Sequence, residues 1–112
     1  KKVFKFAIKR MSDVSTKLLE HNGLAGKDIK LFIPHQANKR IIEATGERCN
    51  IPLDRVMINI DKYGNTTAGT IPIALNEAVE SNLISNGDYI LLAAFGSGFT
   101  WGSILIKWDT MV

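Results

Sequence analysis

Two polar side chains stand at matching places in this chain of 112 residues. His35 follows a short apolar run, Ile29 with Leu31, Phe32 and Ile33, which reads as a buried strand stopped by Pro34, a residue with no N–H to give a ladder. After it Ala37, Ile41, Thr45 and Cys49 recur at helical spacing with Ile42 and Ala44 beside them, so the histidine sits on a strand-to-helix turn. Asn65 repeats the arrangement. It comes after a second apolar strand, Val56 to Ile60, and before a helical face made by Ile71, Ala74, Leu75, Ala78 and Val79. Ligands and catalytic groups of α/β sheets collect at such corners, beyond the carboxyl ends of the strands. An imidazole and a carboxamide can each donate an N–H without gaining or losing a proton. Each also has a plainer reading, His35 as a buried or capping residue and Gly64-Asn65 as a common turn.

The elements that must carry these corners can be followed along the chain. Phe4, Ala7, Ile8, Met11, Val14 and Leu18 form a 3.6-residue stripe, which predicts an amphipathic first helix packed on a sheet. Asn22-Gly23 supplies its left-handed cap, Leu24 folds back on the last turn, and His21 there suits the helix dipole without any catalytic role. Gly46 lies inside the second helix at a cost of about 1 kcal/mol relative to Ala, which is tolerable if another backbone packs closely there. Cys49, at the end of that helix, has no activating surroundings and reads as core or boundary packing. Pro72 favours a start near Thr70 for the third helix on propensity alone. Asn86-Gly87-Asp88 is a turn, Tyr89 to Phe95 a strand, and Gly96-Ser97-Gly98 a tight reversal into a last strand, Phe99 to Trp108. On it Ile104 and Ile106 share one face, Leu105 and Lys107 the other. Helix, strand, helix, strand, helix, strand, strand is the pattern of an α/β layered fold ending in an antiparallel hairpin.

Composition narrows the class. With 46% apolar and 22% charged residues the chain is ordinary globular material for a single domain, residues 1–112, and no apolar run reaches membrane-spanning length. The net charge of +3 is scattered rather than gathered into a Lys/Arg run, and no nucleic-acid motif is present, so a nucleic-acid partner is not expected. An acidic protein partner would suit a basic face. No metal-ligand spacing stands out. One cysteine excludes an internal disulfide framework and fits a reducing cytoplasm.

Three motifs in this order, His35-Gln36-Ala37-Asn38, Tyr63-Gly64-Asn65-Thr66 and Phe95-Gly96-Ser97-Gly98-Phe99-Thr100-Trp101-Gly102, give the chain a marked similarity to the C-terminal part of β-ketoacyl-acyl-carrier-protein synthase III. These are condensing enzymes of the thiolase superfamily. The resemblance covers nearly all of the chain. It implies a thiolase-like half, a layered α/β/α unit with a mixed sheet, here without its first strand. It also implies a companion N-terminal half bearing the nucleophilic cysteine, and a homodimer of the full-length enzyme. The third helix would then begin nearer Thr66.

The chemistry so implied is fatty-acid initiation. An acyl group is loaded from coenzyme A onto the cysteine of the other half, malonyl-acyl-carrier protein is decarboxylated, and the two are joined in a Claisen condensation. By this resemblance His35 and Asn65 are the catalytic pair, two neutral donors to the thioester oxygen on which negative charge develops. Asn38 and Phe4 line the pantetheine channel, and Arg40 docks the carrier protein. The Gly96 to Gly98 turn supplies a backbone N–H to the first acyl oxygen. Ser97 stands where the family has glycine; the N–H survives, while the side chain requires a permitted backbone angle and bears on the acyl pocket. No cofactor is implied beyond the substrates, acyl-coenzyme A and malonyl-acyl-carrier protein. The competing readings are a non-catalytic module that binds coenzyme A or a carrier protein, and a relative that condenses other acyl groups in secondary metabolism.

Overall fold

The structure, a computed structural model, describes residues 2–35, 39–57, 79–80, 83–96 and 100–109. The expected strand beyond Met57, the Asn65 corner and the third helix up to Ala78 lie outside those residues.

Helix α1 spans Lys2–His21. Its most buried positions are Ala7, Met11, Ser15 and Leu19, four residues apart, with Ser12 beside them. The apolar stripe expected from sequence is therefore turned slightly: Ile8 and Leu18 only border the core, and two serines lie inside it. Serine is small enough to let the helix approach closely; the Ser12 hydroxyl donates to the Ile8 carbonyl at 2.6 Å, whereas Ser15 Oγ is buried without a hydrogen-bond partner. Gly23 closes the helix at φ 69 as expected, with Leu24 N–H bonded to the Leu19 carbonyl at 2.9 Å.

Three strands form the sheet among the described residues: β1 (Ile29–His35), β2 (Tyr89–Gly96) and β3 (Thr100–Lys107), in that spatial order. β1 and β2 are parallel, while β2 and β3 are antiparallel, which makes the sheet mixed and ends it in the expected hairpin. Gly87, at φ 91, turns the chain into β2, and Gly87 N–H and Trp108 N–H bond across to the Trp108 and Asp88 carbonyls.

Pro34 does not stop β1, which continues through His35. The reason lies in the edge it uses. Met57 N–H donates to the Phe32 carbonyl at 2.8 Å on the side away from β2, next to a parallel bridge between Phe32 and Val56. Two residues further on, Pro34 presents its backbone to that same side, so the N–H it lacks is not one the β1–β2 ladder requires.

Helix α2 (Lys39–Arg48) buries Ile41, Ile42, Thr45 and Gly46. A Cβ on Gly46 would stand 2.8 Å from Val56 Cγ2, so the close neighbour is a side chain rather than the expected backbone, and the glycine admits the valine that makes a parallel bridge with Phe32 of β1. The helix ends on Asn50, held at φ 58, with Ile51 N–H bonded to the Gly46 carbonyl at 3.0 Å.

The pleat divides the apolar residues cleanly between two faces. Phe32, Leu91, Ala93 and Leu105 face Met11 and Leu19 of α1 and Ile41 and Ile42 of α2. On the opposite face Leu31, Ile33, Ile90 and Leu92 gather with Met57, Ile84, Ile106 and Trp108. Each large side chain so enclosed contributes about 1.5–3 kcal/mol, which makes these faces the main support of the α/β arrangement. Among the described residues no helix is long and apolar enough to cross a membrane.

Candidate functional site

The carboxyl ends of the parallel strands set the site. His35 is the last residue of β1 and pairs with Ala94, two residues before β2 ends at Gly96. Two of the three sequence motifs thus meet at one edge of the sheet through adjacent strands. Val56 and Met57, which lead toward the Asn65 motif, run parallel to β1 on its other side. Asn65 itself lies outside the described residues, as do Asn38 and Ser97.

The helices converge on the same edge. α2 begins at Lys39, four residues after His35, and Arg40 is exposed in its first turn. α1 brings its N-terminal end there as well, because Phe6 packs edge-on against Trp101 with ring centroids 5.7 Å apart and an interplanar angle of 88°. Trp101 pairs with Phe95 in the hairpin, next to the closing pair Gly96 and Thr100. Phe4 belongs to this end of α1 through its backbone position in the first turn. The sheet edge therefore gathers the ends of β1, β2 and α1, the start of β3 and the start of α2.

Arg10 completes a cluster that sequence reasoning missed. Its guanidinium lies 5.0 Å from the Phe6 ring centroid and 5.3 Å from that of Trp101. Phe6 and Arg10 are four apart on one helix, which is the available signal, but nothing in the pattern announced Trp101, 91 positions beyond Arg10, as their partner.

Cys49 belongs elsewhere. It follows the C-terminal end of α2, is only 4% exposed, and its Sγ lies 3.9 Å from Thr16 Oγ1 and 3.8 Å from the Ser12 carbonyl. Burial pushes its thiol up from the ordinary value, the opposite of what a nucleophile needs at neutral pH. The core reading holds. Among the described residues no group of three or more His, Cys, Asp or Glu side chains could hold a metal ion.

Residues 19–108 match a family described as 3-Oxoacyl-[acyl-carrier-protein (ACP)] synthase III C terminal. A β-ketoacyl-acyl-carrier-protein synthase III of Koribacter versatilis is 54% identical over 106 residues, covering 95% of this chain and 32% of the relative. The crystal structure of the 3-oxoacyl-acyl-carrier-protein synthase III from Aquifex aeolicus superposes with a TM-score of 0.92 at 47% identity, over 96% of this chain and 35% of that one. A priming β-ketosynthase from the R1128 polyketide pathway gives a TM-score of 0.83 at 30% identity, over 95% of this chain and 33% of that one. The chain spans about a third of the length of the relatives it matches.

Proposed function

Because the chain belongs to the C-terminal family of 3-oxoacyl-acyl-carrier-protein synthase III, we propose that it forms the C-terminal catalytic half of an acyltransferase that starts fatty-acid synthesis. The reaction is a decarboxylative Claisen condensation between an acyl-coenzyme A primer and malonyl-acyl-carrier protein. A malonyl thioester loses carbon dioxide, and the resulting enolate carbon bonds to the carbonyl of an acyl group held on a cysteine of the N-terminal half. The carbon–sulfur bond to that cysteine then breaks and the thiolate leaves. Acyl-carrier protein and coenzyme A thioesters are the partners, no cofactor is required, and the full-length enzyme works as a cytoplasmic homodimer.

The observation that carries this reading is the meeting of His35 and Gly96 at the carboxyl ends of adjacent parallel strands. On this proposal His35 and Asn65 donate N–H groups to the malonyl thioester oxygen as it gains charge, a neutral pairing that needs no proton transfer to begin. The turn at Gly96 and Ser97 offers a backbone N–H to the primer's oxygen. Phe4 and Asn38 line the pantetheine arm, and Arg40 meets the acidic carrier protein.

Separating the two half-reactions tests these roles. In the full-length enzyme, His35→Ala and Asn65→Ala should each slow malonyl decarboxylation by about 10²- to 10³-fold, the usual cost of losing one such donor. Transfer of a radiolabelled acyl group from coenzyme A to the enzyme should fall far less. Equal loss of both steps in a folded variant counts against the assignment.

A further inference from the structure

The Phe6, Arg10 and Trp101 cluster is not part of the chemistry described so far, yet it sits beside it. Arg10 and Phe6 come from α1, and Trp101 is the second residue of β3. The guanidinium is within 5.3 Å of both ring centroids, and Arg10 Nε is buried without a hydrogen-bond partner, so the group is held there by the rings rather than by an acceptor for that nitrogen. Trp101 is 41% exposed, and its ring meets Phe6 edge-on with the Arg10 guanidinium 5.3 Å from its centroid. Its strand neighbours are Phe95, opposite it, and then Gly96 opposite Thr100.

We propose that Arg10 and Trp101 are positioning residues, which fasten the β2–β3 hairpin to α1 and so fix the Gly96 corner against the end of the helix that carries Phe4. The inference rests on the functional reading above, in which that corner receives the primer's acyl oxygen and Phe4 borders the pantetheine arm. Hydrogen-bond catalysis is sensitive to placement, and an error near 1 Å from a remote change costs up to about 10²-fold. Arginine suits the task better than lysine because its broad, delocalised guanidinium lies within 5.3 Å of two ring centroids at once.

The test uses the full-length enzyme with Arg10→Gln, Arg10→Lys, Trp101→Leu and Trp101→Phe. Arg10→Gln and Trp101→Leu should lower kcat for acyl loading from acyl-coenzyme A by about ten- to a hundredfold with KM little changed, while malonyl decarboxylation stays near the parent rate. Trp101→Phe, which keeps a ring, should recover most of the loading rate, and Arg10→Lys should not. Loading at the parent rate, or an equal fall in both half-reactions, overturns the proposal. Hydrogen exchange separates it from the functional reading. Arg10→Gln should hasten exchange at the amides of Phe95 and Trp101 and leave that of Leu91 unaltered. Unchanged exchange at the hairpin end overturns the fastening whatever the activity, whereas faster exchange in Arg10→Gln, with a parent enzyme that neither loads nor decarboxylates, supports the fastening and refutes the function.

Discussion

Cys49 shows how far a residue's chemistry is set by its surroundings. A lone thiol in a chain of this family invites assignment as the nucleophile, but Cys49 is buried between α1 and α2 and stands at the end of α2 remote from His35. Ten helical residues of α2 alone extend roughly 15 Å. It should therefore stay unmodified when the folded protein meets acetyl-coenzyme A, and react with iodoacetamide only in denaturant; mass spectrometry reads both. A stoichiometric acetyl group on Cys49 contradicts this. The thiol also predicts a pH dependence. Because burial raises its folded-state pKa above the ordinary 9.0, the stability this group contributes is fully present below pH 9.0 and is lost as pH rises from there through the folded value. Cys49→Ala should remove that part of the alkaline loss, seen as a smaller fall in Tm between about pH 8 and about pH 10.5 than in the parent. An identical slope for both proteins refutes it.

At the scale of elements, turns and caps were the most legible features. Gly23 and Gly87 have the positive φ their positions demanded, because only a residue without Cβ enters that region freely. Asn50 takes the same conformation at the end of α2, where the sequence alone offered Asn50-Ile51-Pro52 with no glycine to mark it. Pro34 misled for an instructive reason: a missing N–H stops a strand only if the ladder uses that side. Gly46 and Gly26 required the third dimension. A Cβ on Gly46 meets a valine methyl at 2.8 Å, whereas one on Gly26 meets the backbone carbonyls of Cys49 and Asn50, which cannot rotate away. Gly102 has nothing within 4 Å. Gly26→Ala should therefore cost the most, about 3 kcal/mol or more, as unrelieved overpacking does. Gly46→Ala should cost about 1–2 kcal/mol net, since overpacking outweighs the gain of about 1 kcal/mol in helix propensity. Gly102→Ala should be neutral within about 0.5 kcal/mol. Urea midpoints order the three, and a stabilised Gly46→Ala variant means that Val56 yields more easily than its packing suggests.

For the molecule as a whole, the site was legible where it depends on strand ends and illegible where it depends on contacts between distant segments. His35 could be placed on a corner from a strand followed by a helix, but that Gly96 ends the neighbouring parallel strand follows only from register. Charge arrangement acts at this same scale. Lys39 and Arg40 are both exposed at the start of α2, beside the edge where His35 emerges, in a chain of net charge +3. An acidic carrier protein approaching that edge would be steered by this end of the helix, and steering acts on encounter rather than on the bond-making step. Arg40→Glu in the full-length enzyme should accordingly raise KM for malonyl-acyl-carrier protein by about tenfold or more while leaving loading from acyl-coenzyme A nearly unchanged, because reversing a charge opposes an acidic surface. The difference between variant and parent should narrow as salt is raised, since exposed charges are screened over roughly 8 to 10 Å at ordinary ionic strength. A variant with parental KM for the carrier-protein substrate, or one whose defect persists undiminished at high salt, shows that Arg40 does not act by docking charge.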